Sequence, residues 1–371
     1  MNERVALYVD PPSAALRQDR FFDLSTGLFH SSLARCFSHL RDVLRAEGVA
    51  VHTADRLVAQ PLDGRNLYVS VGMLENYGRL SKRPDTRLSA FFVTESPIVE
   101  PRLFKGLADA RHHFARIYSC CDGGSLEPFV GSPLDTRPLR WPVDFEGVDQ
   151  PLWENTDRRF LVMVNMNKLP RIYWNELFTA RMRAVEFFSR TGEIDLYGVG
   201  WDKPSVRLGH TWVPWTLRRI GLKLDELRDH VRPDPLLVAA RRVYKGQLAT
   251  KWETLSRYTF TLCFENTILK GWLTEKIFEC FRVGTIPIYW GATDVEELIP
   301  SECFIDMRRF AGYWELRNFL RSLGDDEVRQ YRECGREFLR SDRFRPFTKD
   351  AFVDIFRRIL QEDAGLALTA R

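Results

Sequence analysis

The stretch YTFTLCFENTILKGWLTEKIFECFRVGTIPIYWG, residues 258–291, predicts a strand, a loop, a helix and a second strand in that order, and so indicates the fold class. The run YTFTLCF is short, apolar and rich in aromatic and β-branched residues, which predicts a buried strand. Thr274 is suited to cap the following helix, and Gly284 is suited to end it. TIPIYW then returns as a second strand. This order predicts a βαβ unit with parallel strands.

Lys276 is placed unusually in this unit, because the first turn of a helix disfavours a cation. The amino end of such a helix faces the carboxyl end of the preceding strand, in the crevice where open α/β sheets bind ligands. A bound pyrophosphate would balance the charge of Lys276, and Glu275 could accept hydrogen bonds from both hydroxyls of a ribose. The alternatives are an anion of the protein beside Lys276, or a solvated lysine with Glu275 favoured by the dipole alone.

Short apolar runs alternate with longer amphipathic stretches in both halves of the chain, which predicts an α/β protein with two Rossmann-like βαβ domains. The segment 123–157 is rich in Pro, Gly and Asp, holds no convincing helix, and is interpreted as the passage between them. We therefore predict domains at 1–150 and 151–345. Residues 346–371 are predicted as a C-terminal helix that packs back on the body of the protein.

The composition excludes several classes of protein. The 371 residues carry a net charge of +4, too mild for a nucleic-acid binder, and seven cysteines without a CxxC pair. Neither a signal peptide nor an apolar run long enough to span a bilayer is visible, so a cytoplasmic protein is expected. The stretch TLRRIGLKLDELRDHV, residues 216–231, is interpreted as a solvated helix or as a peripheral contact with the inner face of a membrane.

The residues from Tyr244 to Phe310 resemble the donor-binding region of family 10 glycosyltransferases, the α-1,3/4-fucosyltransferases. The segments FEN, TEKIF, G-x-IPIYWG and F-I-D occur in family order and spacing. The resemblance implies the GT-B architecture, with two Rossmann-like domains facing across a cleft, and transfer of fucose from GDP-fucose with inversion. It assigns residues 1–150 to acceptor binding and 151–345 to nucleotide-sugar binding.

The resemblance also implies roles for individual residues. TESP is similar to the family's general-base motif and points to Glu95, and NMNKLPRIYWNEL is similar to the stretch whose arginine contacts the donor pyrophosphate. Trp272 departs from the tyrosine usual at its position and lacks a hydroxyl. The predicted donor-binding residues are Arg171, Glu265, Asn266, Trp272, Glu275 and Lys276.

Neither an Asp-x-Asp pair nor a His/Cys cluster with zinc spacing is present, so we expect no metal and no cofactor besides the GDP-sugar substrate. The leading hypothesis is an inverting, metal-independent α-1,3-type fucosyltransferase of glycan or lipopolysaccharide biosynthesis, whose acceptor is an oligosaccharide or a glycolipid. A transferase for another GDP-linked deoxyhexose and a non-catalytic nucleotide-sugar binding protein are the alternatives.

Overall fold

The structure, a computed structural model, describes residues 5–26, 32–170, 172–208, 223–224, 227–228, 231–248, 250–366 and 368. The chain divides into two compact units, and the first of them is discontinuous in sequence. Unit 1 combines residues 1–146 with residues 344–371, and unit 2 comprises residues 147–343.

Unit 1 is built on a parallel sheet whose strands are β1 (Val5–Asp10), β2 (Ala50–Thr53), β3 (Arg65–Val71), β4 (Thr86–Val93), β5 (Ile117–Ser119) and β6 (Arg137–Pro138). The order across the sheet is β2-β1-β3-β4-β5-β6, and every pair is parallel. Its helices are α1 (Ser32–Ala46), α2 (Asp55–Ala59), α3 (Tyr77–Leu80), α4 (Pro101–Ala110) and α5 (Glu127–Val130). The connections reverse direction between β1 and β3, which is where doubly wound sheets open a crevice.

Unit 2 contains the strands β7 (Arg159–Val164), β8 (Lys168–Leu169), β9 (Ile194–Tyr197), β10 (Val206–Arg207), β11 (Tyr258–Phe264), β12 (Ile286–Trp290) and β13 (Ile305–Asp306). Five of them form a parallel sheet in the order β13-β12-β11-β7-β9, and β8 pairs with β10. The helices are α6 (Gln150–Trp153), α7 (Phe178–Ser189), α8 (Pro235–Val243), α9 (Lys251–Leu255), α10 (Glu275–Val283), α11 (Val295–Leu298), α12 (Tyr313–Ser322) and α13 (Asp325–Arg340). The direction of winding reverses between β7 and β11.

The unit β11-α10-β12 confirms the βαβ unit predicted for residues 258–291. Helix α10 ends at Gly284, which has a φ of 69° and donates its N–H to the carbonyl of Cys280, so glycine is required by the left-handed conformation there. Helix α13 packs against α10 through Phe278 and Phe338, whose rings are stacked with centroids 6.2 Å apart. Strand, helix and turn therefore form where the apolar pattern predicts them.

Helix α14 (Lys349–Ala364) belongs to unit 1 although it is encoded after unit 2. The ring of Phe356 stacks on Phe92 of β4 at 5.2 Å, and Phe352 contacts Phe37 of α1 edge-on at 5.0 Å. Near its end Asp363 is buried and accepts two hydrogen bonds of 2.8 Å from Arg116. The predicted apolar face of this helix is therefore buried in the core of unit 1.

One expectation is wrong, and a second concerns residues that lie mostly outside the described part of the chain. The segment 123–157 does contain helices, since α5 and α6 each form one turn, and both have a proline in the first turn, where no intrahelical N–H bond is lost. Most of the amphipathic stretch 216–231 lies outside the described residues. Within the ranges that the structure describes, no helix combines the length and the apolar character that crossing a bilayer requires.

Candidate functional site

Glu265 is the first residue after β11, at the carboxyl edge of the unit 2 sheet and beside the point where the winding reverses. Its side chain is 0% exposed. The carboxylate accepts hydrogen bonds from the Thr274 N–H at 2.9 Å and from the Thr274 hydroxyl at 2.8 Å. A buried carboxylate needs such donors, because an unpaired charge in the interior is strongly destabilising.

Lys276 supplies the positive charge for this carboxylate. Its ammonium donates to Glu265 Oε2 at 2.6 Å and to the Thr274 hydroxyl at 2.7 Å. Burial opposes the charged ammonium, but the carboxylates of Glu265 and Glu275 raise the pKa of Lys276 above its ordinary value. The unusual position of Lys276 is thus explained by anions of the protein itself.

Thr274 occupies the N-cap position of α10, but its side chain makes no cap hydrogen bond. The hydroxyl is directed to Glu265 instead. Thr274 therefore stands at the predicted N-cap position, but the expected side-chain cap is not made, because its hydroxyl oxygen accepts from the Lys276 ammonium and not from a backbone N–H of the first turn.

Close approach of the next strand shapes the pocket around Glu265. A Cβ on Gly291 would lie 2.5 Å from Glu265 Cγ and 2.5 Å from the Tyr289 hydroxyl, so only glycine fits there. The Tyr289 hydroxyl accepts the Ala292 N–H at 3.0 Å and donates to the Trp272 carbonyl at 3.4 Å. Trp272 is itself only 2% exposed. The family-like YWG segment therefore holds the loop that precedes α10.

Asn266 lies beside Glu265 and is fixed by a second buried cation. Arg181 of α7 donates to Asn266 Oδ1 at 3.1 Å and also bonds the Phe264 carbonyl. Burial lowers the pKa of Arg181 to about 10, although the Glu265 carboxylate opposes that shift. The loop before α7 is joined to the same segment, since the Leu177 N–H donates to the Asn266 carbonyl at 3.0 Å.

The charged side chains around the start of α10 balance one another. The six members are Glu265, Glu275, Glu279, Arg181, Lys251 and Lys276, three acids and three bases. In their ordinary ionised forms they sum to zero. A diphosphate bound here would therefore need further cationic partners or the partial positive charge of a helix start.

Glu95 lies in unit 1, two residues after the end of β4, as the sequence predicts. It is partly exposed, and its neighbours Thr94 and Ser96 are buried. The Ser96 carbonyl accepts the N–H groups of Val99 at 3.0 Å and Glu100 at 3.1 Å, which forms a tight turn before α4. This turn places Glu95 at the carboxyl edge of the unit 1 sheet.

The structure brings most of the predicted donor residues together. Glu265, Asn266, Trp272, Glu275 and Lys276 surround the loop between β11 and α10, whereas Arg171 lies outside the described residues. Their contact with a donor stays a prediction. Sequence reasoning missed Arg181 and Lys251. Arg181 gave one signal, because it occurs on the apolar face of α7 beside Phe178 and Met182, where a cation needs a partner.

Metal ligands are a separate matter. Among the residues that the structure describes, no three His, Cys, Asp or Glu side chains are grouped so that they could hold an ion.

The part of unit 2 that contains Glu265 and Lys276 is similar to a known protein family. Residues 226–336 match the model of the glycosyltransferase family 10 (fucosyltransferase) C-terminal domain. Over these residues the chain is similar to glycosyltransferase family 10. The family 10 region contains the whole of β11, α10 and β12, and with them the pair Glu265–Lys276.

Curated relatives align with part of the same region. An α-(1,4)-fucosyltransferase from Arabidopsis thaliana is 37% identical over 86 residues, which is 22% of this chain and 21% of the relative. An α-(1,3)-fucosyltransferase from Helicobacter pylori is 40% identical over 85 residues, or 23% of this chain and 18% of that protein. The chain therefore matches about a fifth of the length of these relatives.

Solved structures extend the similarity of fold beyond the family 10 region. Two crystal structures of an α1,3-fucosyltransferase, the second of them with GDP, have TM-scores of 0.52 and 0.50. They are 16% identical to this chain, with coverage of 98% of it and 91% of the solved chain. The predicted α/β fold class of GT-B glycosyltransferases is confirmed by this match and by the two parallel sheets.

Proposed function

We propose that the protein is an inverting glycosyltransferase that moves L-fucose from GDP-fucose to a hydroxyl of a glycan or glycolipid. One observation carries the proposal: the pair Glu265–Lys276, at the point in unit 2 where the sheet reverses its winding, lies inside a fucosyltransferase family region. Open α/β sheets bind nucleotides at this kind of position.

The donor diphosphate is proposed to bind at the start of α10. Lys276 is held there by Glu265 and Thr274, retains 22% exposure of its side chain, and has one further donor position on its ammonium group. Because the surrounding charges cancel, the net attraction for a diphosphate must come from elsewhere. The N–H groups of the first helical turn and the predicted Arg171 guanidinium are suited to supply it.

Glu95 is proposed as the general base. Its carboxylate takes the proton of the acceptor hydroxyl while the hydroxyl oxygen attacks the anomeric carbon of fucose. The bond from that carbon to the phosphate oxygen breaks, and the electron pair leaves with GDP. Attack from the face opposite GDP inverts the anomeric configuration. Charge on the departing diphosphate is stabilised by Lys276 and the helix start.

A direct test compares sugar nucleotides as ligands and as donors. We expect GDP and GDP-fucose at about 100 times the dissociation constant to raise the melting temperature by about 5–10 °C, and UDP-sugars to leave it unchanged. Product analysis should then show fucose joined to an acceptor hydroxyl with inverted configuration. Thermal stabilisation by UDP-sugars in place of GDP would refute the proposed donor class.

The Glu95→Gln variant separates an enzyme from a silent binding protein. An enzyme should lose turnover while its affinity for GDP is unchanged, because an amide cannot accept the proton but disturbs the fold little. Arg171→Ala should behave differently and weaken GDP binding by roughly 1.5–3 kcal/mol, since it removes a charge-assisted contact. Unchanged GDP affinity in Arg171→Ala would remove that residue from the site.

We also propose that transfer needs no divalent metal, with cationic side chains and a helix start in the place of the ion. Activity should persist in excess EDTA. Complete loss of transfer that Mn²⁺ restores would contradict this part of the proposal.

A further inference from the structure

Lys251 is a second lysine at the proposed donor site, and it comes from a different element. It is the first residue of α9, and its ammonium donates to the Glu279 carboxylate of α10. The Glu279 side chain is 8% exposed and that of Lys251 is 35% exposed. The contact therefore joins the start of α9 to the buried side of α10.

Glu279 lies one helical turn after Glu275, so the two carboxylates occupy the same side of α10. Two like charges at this spacing repel each other, and burial adds to the cost. Lys251 is attracted to both, and its charge opposes the rise that burial and the Glu275 carboxylate cause in the pKa of Glu279. Its charge, together with that of Lys276, lowers the pKa of Glu275 although burial acts in the opposite direction, so Glu275 remains an ionised carboxylate.

A cavity provides an independent geometric link between the two lysines. Lys251 and Lys276 both line a cavity of about 20 Å³, together with Asn165 after β7 and Cys263 near the end of β11. Its volume suits roughly one water molecule. Lys251 thus belongs to the crevice at which the sheet reverses its winding, although it is distant from Lys276 in sequence.

We propose that Lys251 is a positioning residue of the donor site, which holds Glu275 ionised and directed so that it accepts hydrogen bonds from the ribose hydroxyls of the nucleotide. The inference rests on the proposed function. Lys251 touches neither the nucleotide nor the sugar in this arrangement. It acts by offsetting the negative charge of Glu279, which would otherwise repel the Glu275 carboxylate.

The test uses the full-length protein with two probes, GDP and 2′,3′-dideoxy-GDP, and calorimetry. Wild type should bind GDP at least 10-fold more tightly than the dideoxy probe. Lys251→Met should lose at least 5-fold in affinity for GDP and less than 2-fold for the dideoxy probe, because only GDP has the hydroxyls that Glu275 accepts. Lys251→Arg should retain most of the discrimination.

Lys245→Met is the matched control, since Lys245 pairs with buried Asp195 at 3.4 Å in the same unit. It should alter the affinity for both probes less than 2-fold. If Lys251→Met does not fold, Glu279→Gln replaces it as the test. Without the Glu279 charge, Glu275 no longer needs compensation, so discrimination should persist in Glu279→Gln and in Lys251→Met/Glu279→Gln.

Equal losses for the two probes in Lys251→Met would overturn the inference, because a general structural defect weakens both. Loss of discrimination in Glu279→Gln would overturn it as well. Equal binding of the two probes by wild type would overturn the ribose role while the proposed function stands. Failure of wild type to bind GDP would instead reject the proposed function.

Discussion

The candidate site depends on one buried carboxylate, that of Glu265, and on the residues at the start of α10 that donate hydrogen bonds to it. Glu265 has no exposed surface, and its hydrogen-bond donors come from Thr274 and Lys276. Removal of one partner of such a pair is far more costly than removal of both, because the remaining charge stays in the interior.

Lys276→Met should therefore reduce the free energy of unfolding by about 3 kcal/mol, measured by urea denaturation. The double variant Glu265→Gln/Lys276→Met should recover more than half of that loss, because the buried charge is gone. Arg190→Met, which removes an exposed i,i+4 pair with Glu186, is the control and should cost less than about 0.5 kcal/mol. Equal stability of the single and double variants would contradict the interpretation.

A second prediction concerns Gly291, which lies against Glu265. Gly291→Ala places a methyl group 2.5 Å from both Glu265 Cγ and the Tyr289 hydroxyl, so the carboxylate must move. We expect a loss of about 1–3 kcal/mol in unfolding free energy and weaker GDP binding. In the control Gly78→Ala, nothing lies within 4 Å of the new methyl. A neutral Gly291→Ala variant would mean that the loop adjusts without displacing Glu265.

Local patterns predicted much of this region, and long-range contacts account for the rest. The apolar runs predicted β11, α10 and the turn at Gly284, because the residues within each segment are enough to favour its secondary structure. The pairing of Lys276 with Glu265 could not be predicted, because it requires the loop between them to fold back over the strand end. That fold depends on the close approach of Gly291, a contact with a neighbouring strand.

Helix α14 completes the core of unit 1 and depends on a capped first turn. Thr348 is its N-cap, and the Thr348 hydroxyl accepts the Ala351 N–H at 3.2 Å. Thr348→Ala should lower the unfolding free energy of unit 1 by about 1 kcal/mol, as loss of a cap does, whereas Thr348→Ser should be nearly neutral. Hydrogen exchange in α14 would measure the difference, and equal protection in the two variants would refute the capping role.

In both units, carboxylates that are stabilised by arginines make the folded protein sensitive to acid. The Arg83 guanidinium lowers the pKa of Asp85 in unit 1 to about 2. In unit 2, burial opposes ionisation of Glu193, but hydrogen bonds from Arg317, Thr191 and Arg321 lower its pKa to about 2. Both values lie below the ordinary ones, 3.8 and 4.5, so the folded state favours the ionised form.

The sign of the pH dependence follows from these values. The stabilisation is fully present above the ordinary pKa of each group and is lost as the pH falls from about 4.5 to about 2. Urea denaturation across this range should show falling stability, with a shallower decline in Glu193→Gln. An identical slope in wild type and Glu193→Gln would show that Glu193 is not one of the groups responsible.

The discontinuity of unit 1 has a consequence for biosynthesis. Unit 2 is a continuous stretch, residues 147–343, so all of its sheet has left the ribosome before α14 is translated. Nascent unit 1 meanwhile lacks the helix that covers Phe37 and Phe92, and its apolar surface is exposed to chaperones. The usual amino-to-carboxyl order of domain completion is therefore reversed in this chain, and the unit that is made first is finished last.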